Sequence, residues 1–238
     1  MSTEKDLGKS TIEKALSQSR HNSADVSPAV IRRLPRYFRY LRELIRTGKT
    51  RVSSAELSRM MNVTASQIRQ DLNCFGGFGQ QGYGYNVNYL YTKICEILGV
   101  GEGYRAAVIG AGNLGTALVR SPMFENRGVD VVAMFDVAQE LIGKKVGNTK
   151  IYHVNDIEKI FKSFEIDIAI LTLPKDRALD IAEVLKKTSV KGIWNFTGKD
   201  LGLADSNIAV EDVHIGDSLM ILCYEMLGRD SEKEQSDK

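Results

Sequence analysis

The chain has 238 residues, 43% of them apolar and 26% charged, which is the profile of a water-soluble protein with room for one large domain or two smaller ones. No apolar run approaches the ~20 residues of a membrane span, and the opening MSTEKDLGKSTIEK lacks a signal-peptide core, so the expectation is a cytoplasmic protein with no membrane partner. The 32 Lys and Arg nearly balance 30 Asp and Glu, yet residues 1–95 carry fifteen basic and seven acidic side chains while residues 96–238 carry seventeen and twenty-three.

That split points to two domains with different partners, the basic one facing a polyanion unless its charges only solvate a surface. Residues 1–26 are polar and read as a flexible tail. Helical periodicity begins at Ser27-Pro28, an N-cap followed by proline at the first helical position. In PAVIRRLPRYFRYLRELIRTGK, Leu34, Tyr37, Phe38, Leu41 and Ile45 fall on one face, and Arg32, Arg36, Arg39 and Arg46 gather opposite. Pro35 is expected to kink or restart this helix and Gly48 to close it.

Two short helices follow, opened by the capping boxes Ser53-Ser-Ala-Glu56 and Thr64-Ala-Ser-Gln67. Ile68 and Leu72 turn the second one inward. GGFGQQGYGYNV, Gly76 to Val87, sets glycines among aromatics and reads as a β-hairpin. Residues 88–103 form a connecting helix that ends in a glycine cluster. Helix, helix–turn–helix and hairpin make residues 27–99 a winged helix-turn-helix domain.

Over residues 100–216 strands alternate with helices, the signature of an α/β unit with a parallel sheet. Strands are expected at Ala106–Gly110, Val131–Phe135, Ile166–Leu173 (the longest), Gly192–Asn195 and Ile208–Val210, with a short one at Lys150–Tyr152. Helices are expected at Leu114–Arg120, Asp156–Ser163 and Arg177–Lys187. The helix at residues 217–228 is apolar on nearly every side and must be buried all round, for which another subunit is one means. Residues 229–238, RDSEKEQSDK, read as a disordered tail. Cys74, Cys95 and Cys223 stand far apart with no C-x-x-C, so buried inert thiols are expected rather than disulfides or a metal cluster.

The motif VIGAGNLG runs Gly110-Ala111-Gly112-Asn113-Leu114-Gly115 directly after an apolar strand. The first glycine permits the tight turn, the second admits a pyrophosphate to the backbone, and the third lets helix and strand pack closely. Free N–H groups at the helix start then take the phosphate charge. Asp136 ends the next strand, 21 residues past Gly115, where a carboxylate binds ribose hydroxyls and repels a 2′-phosphate. NAD(H) is therefore favoured over NADP(H). Leu173-Pro174 and Asn195-Phe196, at strand ends, are candidates for the nicotinamide side or are ordinary strand termini. Beyond residue 95 the only histidines are His153 and His214, neither in a catalytic constellation. An acid–base pair for hydride transfer is thus missing, and the dinucleotide reads as a signal rather than a reagent.

In the helix–turn–helix, burial of Ile68 and Leu72 leaves Ser66, Gln67, Arg69 and Gln70 outward, types that hydrogen-bond base edges and phosphates. The hairpin is the wing, with Gln80, Gln81 and Tyr83 near a groove, and Arg32 and Arg51 are available to phosphates. The bland alternative is a helical interaction module with solvated arginines.

Taken together, RLPRYFRYL, SSAELSRMMNVTASQIRQDLNCFGGFGQQGYGYNV, VIGAGNLGTAL, MFDV, ILTLP and IWNF resemble, in order and spacing, the redox-sensing transcriptional repressors of the Rex family, over about residues 27–227. The resemblance implies a homodimer that exchanges its terminal helix, binds a palindromic operator, releases it when NADH binds, and lets NAD+ compete without release. It also implies three departures. Gln80-Gln81 replaces a basic pair common in relatives. Ser121 and His214 stand where relatives commonly have the Tyr and Asp of a switching network with an arginine that aligns with Arg39. A serine is too short for the Tyr role, and a histidine does not pair with Arg39 as a carboxylate does. Two competitors follow: a repressor of this build with a weakened or lost redox response, and a small NAD-dependent oxidoreductase.

Overall fold

The computed structural model describes residues 26–76, 79–80 and 83–236, in one unit ending at Val100 and a second beginning at Gly101. The expected tail lies outside the described residues except for Val26.

In the first unit Ser27 starts α1 (Pro28–Arg46), its hydroxyl accepting the Ala29 N–H at 3.3 Å. The helix does not restart at Pro35 but runs through it. Pro35 and Ile31 are both exposed, so the carbonyl that proline leaves without a donor is on the solvated side. Leu34, Tyr37, Phe38 and Leu41 continue one buried stripe past it, completed by Leu44 rather than Ile45. Gly48, at φ +75°, ends the helix in a Schellman motif, its N–H on the Ile45 carbonyl and that of Lys49 on the Leu44 carbonyl.

Helices α2 (Ser54–Met61) and α3 (Ala65–Asn73) are capped by Ser53 and Thr64, whose side-chain oxygens accept the Glu56 and Gln67 N–H groups at 3.1 Å. The other half of each expected capping box is directed elsewhere: Glu56 pairs with Lys49, and the Gln67 amide donates to Asp71. The wing is three-stranded. Strands β1 (Arg51–Val52), β2 (Gly79–Gln80) and β3 (Gly84–Asn86) lie antiparallel in the order β1-β3-β2. The two-residue β1 is too short to show alternation in sequence and was not expected. Gly84 is required there, since at φ +69° a Cβ would sit 2.6 Å from the Val52 carbonyl oxygen. Helix α4 (Val87–Leu98), capped by Asn86, ends at Gly99. Leu57, Met61, Ile68, Leu72, Leu90 and Ile94 close the core beneath α1.

The second unit is a seven-stranded sheet in the order β10-β9-β8-β4-β5-β7-β6. Its strands are β4 (Tyr104–Ile109), β5 (Val129–Asp136), β6 (Lys145–Val146), β7 (Thr149–His153), β8 (Ile168–Leu171), β9 (Gly192–Asn195) and β10 (Ala209–Asp212). All neighbours are parallel except the β6–β7 hairpin. The expected longest strand, Ile166–Leu173, is only four residues; β5, with eight, is the longest. Asp167 and Thr172 bracket β8 with side-chain bonds, Asp167 to the Arg105 N–H of β4 and to Lys191, and Thr172 to the Gly110 carbonyl, instead of extending it. Helices α5 (Asn113–Val119), α6 (Ile157–Phe164) and α7 (Ala178–Leu185) flank the sheet. Ile157, Phe161, Ala182 and Leu185 cover Ile109, Phe135, Leu171 and Ile193 on one face, while Val108, Met134 and Ile170 point to the other. Because β4 lies between β5 and β8, the chain winds outward in both directions from it, and a crevice opens at the strand ends there.

The terminal helix α8 (Ile215–Ser236) is longer than expected and takes in most of the segment read as disordered. Leu219, Met220, Ile221, Leu222, Met226 and Leu227 are exposed on it, so the described residues do not supply the burial that its composition demands. The thiols also depart from expectation: Cys74 and Cys223 are exposed, Cys95 half-buried. Among the described residues no cluster of metal-ligating side chains occurs, and no helix is long and apolar enough to cross a membrane.

Candidate nucleotide cleft and DNA interface

The three glycines of the fingerprint meet three different constraints. Gly110, at φ +110°, turns the chain off β4, and a Cβ on it would lie 2.7 Å from the Thr172 carbonyl oxygen. Gly115 packs the helix onto the turn: its Cβ would fall 2.0 Å from the Gly110 oxygen and 2.7 Å from Thr172 Oγ1. A Cβ on Gly112 would meet nothing within 4 Å. Gly112 is the N-cap of α5 and makes no side-chain cap, so the first N–H groups of the helix are left for a ligand's oxygens.

Asp136 reaches this turn from the end of β5. One carboxylate oxygen accepts the Ala111 N–H at 2.6 Å and the other accepts the Ala138 N–H at 3.0 Å, which fixes the group while leaving lone pairs for hydroxyl donors. A cleft of about 830 Å³, within the usual range for small-molecule sites, is lined by Gly110, Gly112, Asp136, Leu173, Pro174 and Arg177 among others. Asn113 and Leu114 stand in the first turn of α5 beside it. Asn195 and Phe196 are not part of its lining. Asn195 is buried, donates to the Lys199 carbonyl at 2.9 Å and to Asp212 at 2.6 Å, and accepts from Thr197; Phe196 packs against Trp194. They organise a loop. Sequence reading missed Thr172, whose hydroxyl donates to the Gly110 carbonyl at 2.9 Å and braces the turn. Its place just before Leu173-Pro174, at a strand end facing the fingerprint, was the available signal.

On α3, Ser66, Arg69 and Gln70 are exposed, with an Arg69 guanidinium nitrogen 3.2 Å from Ser54 Oγ. Gln67 is turned inward, its amide donating to Asp71 Oδ1 at 2.8 Å. Arg32 and Arg39 are exposed on α1; Arg36 instead donates to the Met61 carbonyl, and Arg46 pairs with Glu43 at 2.6 Å. In the wing Arg51 lies 5.7 Å over the Tyr83 ring and donates to the Tyr83 backbone carbonyl at 3.2 Å, with Tyr83 69% exposed. Gln81 and the side chain of Gln80 lie outside the described residues.

Beneath α3 lies a charged network that sequence reading did not find. Arg33 grips the fully buried Asp71 with two 2.7 Å bonds, and the Tyr37 hydroxyl donates to the same carboxylate at 3.0 Å. Burial alone would raise the Asp71 carboxyl, but the bonds from Arg33, Gln67 and Tyr37 outweigh it and hold it below its ordinary value. Burial, with the Asp71 charge beside it, raises the Tyr37 hydroxyl, which therefore stays protonated as a donor. One helical-wheel signal was available: Asp71 sits between Ile68 and Leu72 on the inward face, where a carboxylate needs a cation.

Of the proposed switch residues, Arg39 belongs to the first unit and Ser121 and His214 to the second. Ser121 Oγ accepts the Met123 N–H at 3.3 Å in a local turn; His214 is exposed just before α8.

A family model described as "Putative DNA-binding protein N-terminus" matches residues 25–73, and one described as "CoA binding domain" matches residues 102–198. Among curated relatives, the redox-sensing transcriptional repressor Rex of Caldicellulosiruptor saccharolyticus is 43% identical over 212 residues, 89% of this chain and 96% of that protein. Among solved structures, RSP in complex with β-NAD+ and operator DNA is 46% identical with a TM-score of 0.81, covering 90% of this chain and 98% of that one. RSP in complex with β-NADH is 44% identical with a TM-score of 0.81, covering 89% and 99%. RSP is itself described as a Rex-family repressor.

Proposed function

The chain belongs to the Rex family of redox-sensing transcriptional repressors, and from that premise we propose that it binds operator DNA as a homodimer and releases it when NADH occupies the cleft of the second unit. The observation that carries the reading is the meeting of Asp136 with the glycine turn: a carboxylate fixed on the Ala111 N–H, beside an uncapped helix start and the open space at Gly112. Gly112 leaves room for a pyrophosphate, the N–H groups of Asn113 and Leu114 receive its oxygens, and Asp136 accepts from the adenosine ribose hydroxyls. Leu173 and Pro174 give the farther end an apolar wall. NADH and NAD+ compete for this cleft.

The basic first unit presents Ser66, Arg69 and Gln70 to base edges, and Arg32, Arg51 and the wing at Tyr83 to the backbone. The exposed apolar face of α8 supports exchange of this helix with a second copy. An apolar hollow of about 670 Å³ in the second unit, lined by Phe124, Ile170 and Trp194 among others, is a surface that such an exchange would cover. A two-fold dimer sets two copies of α3 into successive major grooves of a palindrome. A role on operator DNA is a role in the cytoplasm.

Coupling between the sites is reciprocal, and typical values change affinity by about 5–150-fold. Titrating a labelled operator duplex at fixed salt with NADH or with NAD+ tests the reading: NADH weakens DNA binding and NAD+ does not. Equal DNA affinity in both refutes the sensor while sparing DNA binding. A second reading, the same repressor with a weakened redox response, is supported by Ser121, whose hydroxyl is engaged with the Met123 N–H. It predicts NADH binding by calorimetry with little release of DNA.

A further inference from the structure

The Asp71 carboxylate has about four lone-pair directions, and four donors meet them. They are Arg33 Nε and Tyr37 Oη on Oδ2, and Arg33 Nη2 and Gln67 Nε2 on Oδ1, all within 3.0 Å. Three of these donors come from α1, more than thirty residues away in sequence, so the contact sets how α3 is turned about its own axis. With about 100° per residue, Gln67 stands only about 40° around the helix from the inward-facing Asp71, whereas Gln70, Ser66 and Arg69 stand about 100°, 140° and 160° away. Swinging Gln67 out to a base would leave a lone pair of a fully buried carboxylate unpaired, at the full desolvation penalty of that group.

We propose that Asp71 decides which side chains of α3 read DNA: its carboxylate, held by Arg33 and Tyr37, takes up the Gln67 amide and so confines base reading to Ser66, Arg69 and Gln70. Asp71 is thus a positioning residue for specificity, acting through Gln67. The inference rests on α3 being the DNA-reading helix.

The test uses the full chain and a duplex enriched from a randomised pool by the wild-type protein. Affinity is measured for this duplex and for each of its single base-pair variants at fixed salt. Asp71→Asn is expected to free Gln67 and shift the relative affinities at one base pair or more by about five-fold, the low end of what one bidentate side chain discriminates. Adding Gln67→Met to Asp71→Asn is expected to return the profile to that of wild type. An Asp71→Asn profile equal to wild type overturns the inference, and so does a shift that persists in the double variant, because a packing defect does not act through Gln67.

Should Asp71→Asn not fold, the side-chain amide of Gln67 in the wild-type chain decides by NMR. Slow exchange and a resonance that does not move on adding duplex support the inference; a resonance that moves as Gln70's does overturns it. A wild-type chain that enriches no duplex overturns the DNA reading and this inference together, an outcome distinct from a wild-type profile that the Asp71 variant leaves unchanged.

Discussion

Replacing Gly115 with alanine gives a test in which two effects have opposite sign. Gly115 is the third residue of α5, in backbone that any residue adopts, and on propensity alone alanine there stabilises by about 0.5–1 kcal/mol. The tertiary contact opposes this. The new methyl carbon would sit 2.0 Å from the Gly110 carbonyl oxygen, where ordinary contact begins near 3.4 Å, and a second atom, Thr172 Oγ1, is at 2.7 Å. The obstacle is backbone, braced by the Thr172 hydroxyl on that same carbonyl, so α5 must lift off the turn by more than an ångström. Overpacking of this kind costs about 1–3 kcal/mol and outweighs the propensity gain. The net cost is then up to about 2.5 kcal/mol, and at about 2–4 °C per kcal/mol for a domain near this size the melting temperature should fall by up to roughly 10 °C, read by calorimetry on the unliganded protein. Gly112→Ala is the control: its methyl group meets nothing, so the melting temperature changes little, while NADH affinity drops because the methyl occupies the approach to the helix start. A Gly115→Ala protein that melts higher than wild type would refute the packing argument.

Acid stability should depend on Asp71. Its folded carboxyl lies below the unfolded value of about 3.9, so its contribution is present above that value and is lost as pH falls through the folded one. Urea midpoints measured from pH 6 down to pH 2 should therefore fall less steeply in Asp71→Asn than in wild type. Removing the buried carboxylate, as in Asp71→Ala, leaves Arg33 a quarter exposed and should cost about 1–3 kcal/mol of the first unit's stability by denaturant unfolding. Gly84→Ala should part β3 from β1 within the wing and weaken duplex binding in a mobility-shift assay, with NADH affinity unchanged because the cleft lies wholly in the second unit. Leu222→Glu on α8 should shift the protein from dimer to monomer in sedimentation velocity; an unchanged dimer would remove α8 from the interface.

Much of this protein is written in local pattern. Ser27-Pro28, Ser53 and Thr64 start helices where their oxygens reach the next free N–H groups, and Gly48 and Gly99 stop them, because caps act within a single turn of chain. The fingerprint glycines and Asp136 are legible for a similar reason: strand–turn–helix geometry requires a bare backbone at fixed offsets. A Gly147-Asn148 turn between Val146 and Thr149 was an equally local hairpin signal that the sequence reading passed over.

Tertiary packing decided what offset alone cannot express. Pro35 stays inside α1 because its deprived carbonyl is on the solvated side, a fact of orientation and not of composition. Gln67 and Gln70 are the same residue type on the same helix, and only the Arg33–Asp71 pair, assembled across 38 residues, turns one inward and leaves the other outside. Asn195 is a candidate ligand group at a strand end, yet its amide is taken up by the loop that follows and by Asp212 on β10. For Gln67 the deciding cation, and for Asn195 the carboxylate on β10, come from another element of the fold. A side chain's hydrogen-bonding capacity is set by its type, but which atoms it meets is set by the packing of the elements that carry them.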